Sequence, residues 1–138
     1  MQESDSASET ALFLPVSIFF NDSLSALEAI TKFLREERNL RYSEIADVLN
    51  RDERTIWCTY SNSKKKMQER LATGTSSIQI PVSAISSREL SVLETLAFYL
   101  KDEMNLSFNR IAAVLRRDYR TIWTVYRRAK IKRMKNAG

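Results

Sequence analysis

Two clusters of donor-bearing side chains stand out by type and spacing. Arg54 and Thr55 follow Asp52, and Arg120 and Thr121 follow Asp118. Asp is a frequent N-cap, because its carboxylate can accept from the orphan N–H groups of a helix start. An Arg and a Thr in the turn after such a cap carry a forked cation and a hydroxyl at the helix end. Those groups suit a phosphate or the polar edge of a base. Catalysis is poorly provided for. The chain has no His, the commonest general base and metal ligand. One Cys and no His leave no plausible zinc site, and no GxxxxGK[ST] or GxGxxG cradles a phosphate. The carboxylates are scattered at helix-surface spacings. We therefore expect no enzyme, no metal and no cofactor.

The elements that must position these residues repeat. Asp52-Glu-Arg-Thr-Ile-Trp-Cys-Thr-Tyr60 reappears as Asp118-Tyr-Arg-Thr-Ile-Trp-Thr-Val-Tyr126. Ile56 and Tyr60, like Ile122 and Tyr126, lie four apart on one helical face. Upstream stand Glu44-Ile-Ala-Asp-Val-Leu49 and Arg110-Ile-Ala-Ala-Val-Leu115, each followed by a three-residue junction. A short amphipathic helix, a tight turn and a capped second helix form the sequence shape of a helix-turn-helix. The spacing predicts helices at roughly 42–50 and 53–68. Leu24, Leu27, Ile30, Phe33 and Leu34 mark a preceding helix that runs to about Arg38, with Asn21 or Asp22 as its cap.

The repetition extends well beyond the motif. Displaced by 66 positions, residues 14–66 and 80–132 share 24 identities in 53 positions, which we read as an internal duplication. Each copy opens on an apolar alternation, Leu12 to Ile18 and Ile78 to Ala84, interrupted by Pro15 or Pro81. Period two is a strand signal, and Pro confines such a strand to an edge or an extended arm. Two arms of this kind can pair as a ribbon. Ser86-x-x-Glu89 has the capping-box pattern. The expected organisation is a disordered tail at 1–11, a first repeat at 12–69 and a linker at 70–77. A second repeat at 78–134 and a tail at 135–138 complete it. The fold class expected is all-α, with two three-helix units and a possible small β-ribbon.

Charge is unevenly spread. Residues 1–72 hold 10 Lys and Arg against 12 Asp and Glu, and residues 73–138 hold 12 against 5. The basic half points to a polyanionic partner. The single Cys58 forms no intramolecular disulfide, as suits a reducing cytosol. No apolar run reaches the roughly 18 residues of a membrane span. The expected location is cytoplasmic and nucleoid-associated.

The stretch from Tyr42 to Ile56 resembles the C-terminal helix-turn-helix region of bacterial sigma factors. It is also similar to the homeodomain-like modules of resolvases. The shared features are E-I-A-x-x-L, the short turn, the acidic N-cap and Thr-Ile inside the second helix. The resemblance covers roughly residues 24–67 and 90–133 and implies sequence-specific binding of double-stranded DNA. Repeat 2 departs at Arg110, where such modules usually carry an acid. Repeat 1 departs at Arg41, where Ser107 of repeat 2 supplies the usual cap. Trp57 and Trp123 stand where a polar or basic residue is usual.

The candidate DNA-binding residues are Arg51, Arg54, Thr55, Lys64, Lys65 and Lys66 in the first repeat. In the second they are Arg117, Tyr119, Arg120, Thr121, Thr124, Arg127, Arg128, Lys130 and Lys132. Arg51 and Arg117, in the turns, are read as phosphate clamps. Trp57 and Trp123 are read as packing against the first helix or the other repeat. Tyr60 and Tyr126 belong to the core by default, Cys58 is an ordinary small residue, and Arg54 and Arg120 have a neighbouring Asp as alternative partner. The function expected is a small transcription regulator that reads double-stranded DNA with two recognition helices. The alternative is a protein-interaction or scaffold module on the same fold. A homodimer or protein partner could engage the arms 12–18 and 78–84.

Overall fold

The computed structural model describes residues 12–71 and 78–137. The tail expected at 1–11 and most of the expected linker lie outside the described residues. The fold is all-α with one small ribbon. Strand β1 (Phe13–Pro15) leads through a 3-10 turn (Val16–Phe19) to α1 (Ala26–Glu36), α2 (Tyr42–Leu49) and α3 (Glu53–Lys66). The second copy gives β2 (Gln79–Pro81), a 3-10 turn (Val82–Ile85), α4 (Val92–Phe98, continued by a π-turn to Glu103), α5 (Phe108–Leu115) and α6 (Tyr119–Ala137). Helix α6 thus runs past residue 134, where the periodicity had ended the repeat.

The helix starts differ from expectation for a local reason. Asn21 does not cap α1; its Oδ1 accepts from Ser23 N and Leu24 N and so shapes the preceding turn. Ser25 caps instead, accepting from Glu28 N at 3.2 Å while Glu28 accepts from Ser25 N at 2.9 Å. Ser91 and Glu94 form the equivalent box on α4, at 3.2 and 3.0 Å. Ser86 and Glu89 do not form one, and Ser86 Oγ donates to Ser83 O. Both boxes are reciprocal and stop two helices from fraying. Helix α5 takes Ser107 as its cap, with Oγ accepting from Arg110 N at 3.1 Å. Helix α2 has Arg41 in that place, and Glu44 alone reaches back to Arg41 N at 2.8 Å.

The two helix-turn-helix turns are built alike. Asn50 and Arg116 take left-handed backbone, with φ of 57° and 54°. That conformation ends a helix in one residue and turns the chain sharply. Asp52 then occupies the N-cap of α3, but its side chain makes no cap bond. Its carboxylate lies 3.7 Å from Arg88 of the other repeat.

The ribbon shows how the copies relate. β1 and β2 pair antiparallel with Leu14 opposite Ile80, Phe13 opposite Pro81 and Pro15 opposite Gln79. Leu14 thereby faces its own duplicate and the two flanking pairs are duplicates of one another, so an approximate two-fold axis passes through the Leu14–Ile80 pair. Val16 N donates to Ile78 O and Val82 N to Leu12 O, which are duplicates of one another. The 3-10 turn of each copy packs on the first helix-turn-helix helix of the other. One continuous core therefore runs through both repeats, from Leu14 and Ile18 to Ile111 and Ile122. A unit of about 50 residues can bury only a small core alone, and the crossed arms add apolar surface to it.

Candidate nucleic-acid interface

Helices α3 and α6 divide lengthwise. Ile56 and Ser63 of α3, and Ile122, Val125 and Ala129 of α6, are buried against the rest of each repeat. The opposite face of each N-terminal half is exposed. On α3 it carries Glu53, Arg54, Thr55, Trp57 and Cys58; on α6 it carries Tyr119, Arg120, Thr121 and Trp123. Among the described residues, Arg54 and Arg120 make no ion pair, nor do Lys65 and Arg128. The neighbouring Asp side chains do not engage either arginine. Their guanidiniums stand in water, each beside a threonine hydroxyl, Thr55 or Thr121.

Trp57 and Trp123 correct the packing expectation. They are 54% and 44% exposed and lie on the free face of the helix, beside Arg54 and Arg120 at i,i+3 spacing. A large aromatic is ordinarily buried, and residue type alone gave the wrong side. One sequence signal pointed to the surface. The indoles follow Ile56 and Ile122 by one residue and so fall off the i,i+4 stripe that those form with Tyr60 and Tyr126. Arg127 places its guanidinium 5.2 Å over the Trp123 ring. Tyr119, Arg120, Trp123 and Thr124 line a shallow cleft of about 380 Å³. Tyr119 meets Phe108 edge-on at 6.1 Å, which holds its ring at the rim.

Other candidate cations are committed within the fold. Arg51 Nη1 donates to Ser87 O at 2.9 Å and Nη2 to Leu90 O at 3.3 Å. Arg117 Nη2 donates to Leu24 O, the duplicate of Leu90 O, at 3.4 Å. These guanidiniums are therefore staples between repeats rather than free phosphate clamps. Burial, followed by the nearby Arg88 charge, lowers the pKa of Arg51 from its ordinary value. No single-copy reading could find these bonds, because each donor and acceptor belong to different repeats. Both arginines line one groove of about 530 Å³ with Ser25, Leu27, Ser91 and Leu93. The two motif turns thus meet beside the axis.

The C-terminal lysines are likewise engaged. Lys66 and Lys132 grip the duplicate carboxylates Glu28 and Glu94 at 2.9 and 3.0 Å. Lys64 lies 3.6 Å from Glu36. Lys130 Nζ donates to Tyr126 Oη at 3.4 Å. Tyr60 and Tyr126 are partly buried, and their hydroxyls donate to Glu36 at 2.8 Å and Asp102 at 2.7 Å. Burial, then the bond to Glu36, pushes the Tyr60 hydroxyl up to about 12. Among the candidate residues, the free donors therefore lie at the N-terminal ends of α3 and α6, with Lys65 near the end of α3 and Arg127 and Arg128 continuing along α6.

Known protein families, curated proteins and solved structures give no match to the chain. The reading of this surface rests on its own chemistry. No helix among the described residues is long and apolar enough to cross a membrane.

Proposed function

We propose that the chain binds double-stranded DNA in a sequence-specific manner, with α3 and α6 as recognition helices, and acts as a small transcription regulator. The observation that carries this is the duplicated free face at the start of each helix. Arg54 with Thr55, and Arg120 with Thr121, stay exposed while the turn arginines and most terminal lysines are tied down. A first helical turn with forked cations is the part that reads base edges and phosphates in a major groove. Repeat 2 supplies most of the electrostatic affinity. It carries Arg127 and Arg128 where repeat 1 has Ser61 and Asn62, and Tyr119 where repeat 1 has Glu53. Glu53 either repels phosphate or accepts from a cytosine amino group.

The experiment is a gel-shift titration at two salt concentrations with duplexes selected from a random pool. Sequence-preferring, salt-dependent binding is expected. Charge reversal of Arg127 and Arg128 weakens binding and flattens the salt slope by roughly two. Equal loss from Ser61→Glu with Asn62→Glu would refute the ranking of the repeats. The second reading, a protein-binding module, draws on the acidic balance of residues 1–72. Salt-insensitive failure to bind any duplex would favour it.

A further inference from the structure

Within the proposed DNA reading, we infer that Trp57 and Trp123 are specificity-determining residues whose indole faces pack on thymine methyl groups in the major groove. The inference rests on a comparison the chain makes with itself. Over the first two and a half turns of α3 and α6, the copies differ at the exposed positions 53/119 and 62/128 and at 58/124 and 61/127, where one of each pair is half-buried. The residues exposed in both copies and shared by them are Arg54/Arg120, Thr55/Thr121 and Trp57/Trp123. An exposed side chain is not held in place by the needs of a core. A requirement common to both copies is then set by what both faces touch. Arg and Thr answer to phosphate and to polar base edges. An indole answers to something apolar in the same place.

The surroundings decide what that apolar partner is. Arg54 and Arg120 stand unpaired one turn before the indoles and Arg127 stands over the Trp123 ring, while Glu53 is the one carboxylate at helical spacing from Trp57. A cationic rim of this kind suits a polyanion better than an apolar protein face. The major-groove edge of DNA presents one apolar group among its base edges, the C5-methyl of thymine. The cleft formed by Tyr119, Arg120, Trp123 and Thr124 offers it an aromatic wall beside a guanidinium. Arg120 then engages the neighbouring base or phosphate, and Trp123 distinguishes thymine from cytosine. Trp57 does the same one half-site away.

The test uses an internal probe. These are the two tryptophans of the chain, so emission excited selectively at tryptophan, and not at the five tyrosines, reports on this surface. The full-length protein is titrated with its selected duplex, and then with the same duplex in which half-site thymines are replaced by uracil. Quenched and blue-shifted emission is expected with the thymine duplex. Each methyl removed should weaken binding about fourfold, from the transfer free energy of one buried carbon. Trp57→Ala and Trp123→Ala should abolish the thymine–uracil difference at their own half-site while keeping the salt slope. Circular dichroism should show both variants folded, because neither indole supports the core. Trp123→Phe, which keeps an aromatic face, should retain part of the discrimination. Tight duplex binding with unchanged emission and no thymine–uracil difference would overturn this inference and leave DNA binding standing. Absence of binding to any duplex would remove both.

Discussion

Arg51 donates to two carbonyl oxygens across the repeat boundary, and its charge is half withdrawn from water. A hydrogen bond from a charged donor contributes about 1.5–3 kcal/mol, and removing the donor strands its buried acceptors. Arg51→Ala should therefore lower the stability of the DNA-free protein by about 1–3 kcal/mol, read by urea denaturation. Arg51→Lys should recover little, since one ammonium cannot span two divergent carbonyls. A clamp acting only on phosphate would leave the DNA-free stability untouched. Arg117→Ala should cost less, because its bond to Leu24 O is longer at 3.4 Å.

Glu36 offers a second residue-scale test. Burial raises its pKa, but hydrogen bonds from Lys32 and Tyr60 and the charges of Lys32 and Lys64 outweigh that and hold it below 4.5. A depressed carboxylate pKa stabilises the fold above the unfolded value, and that stability is lost as pH falls through the folded value. Glu36→Gln should flatten the acid limb of stability below pH 4.5. Tyr60 works at the other end, with a hydroxyl raised from 10.0 to about 12. Its contribution is complete below pH 10 and disappears as pH rises toward 12. Tyr60→Phe should remove that alkaline loss, followed by melting temperature against pH.

At the scale of the elements, the capping boxes carry a sharp prediction. Ser25→Ala and Ser91→Ala should each cost about 1 kcal/mol, whereas Ser86→Ala should change stability by roughly a few tenths. Thermal melts of the three variants decide it. The same residues show what was legible in the sequence. The helix-turn-helix helices were placed within a residue or two, because Ile45, Leu49 and Ile56 follow a helical period and are buried. The pairing of the arms was legible too, since alternation at Leu14 and Ile80 marks one buried face. Only Phe13–Pro15 and Gln79–Pro81 are strand, however, and the part of each expected arm after them winds into a 3-10 turn. Caps were less so. Ser86-x-x-Glu89 and Ser91-x-x-Glu94 carry the same pattern in adjacent windows, and packing of Val92 and Leu96 selects the second. The candidate site was legible at Arg54, Thr55, Arg120 and Thr121 as an exposed set. The roles of Arg51, Arg117 and the two indoles were not, because they depend on which groups another repeat brings near and which it leaves in water.

For the whole molecule, the crossed arms make two small repeats into one cooperative unit. Leu14 and Ile80 are fully buried on the axis. Burial of an unpaired carboxylate there costs several kcal/mol, on the order of 3 or more, so Leu14→Asp should collapse the single melting transition to a much lower temperature. Loss of helicity from both repeats together is expected. Independent melting of one repeat alone would contradict a shared core. The same axis bears on the proposed DNA reading. Two reading heads related by a two-fold axis call for an imperfect inverted repeat, with successive grooves roughly 34 Å apart on one face of the duplex. Insertion of five base pairs between selected half-sites should sharply reduce affinity. Full retention would rule out rigid, simultaneous engagement.

The pairing of Leu14 with Ile80 has a historical consequence. A strand that lies against its own duplicate about a two-fold axis is using an isologous contact, the kind two identical subunits make. Such a contact needs no second gene product, so the present single chain has the geometry of a fused homodimer. Within one chain the halves need not stay alike. Lys32, buried beside Glu36 in one half, is Phe98 in the other, and Ser61-Asn62 of one half is Arg127-Arg128 in the other. A homodimer must change both subunits at once; this chain can tune one half of its surface while the other keeps its old task.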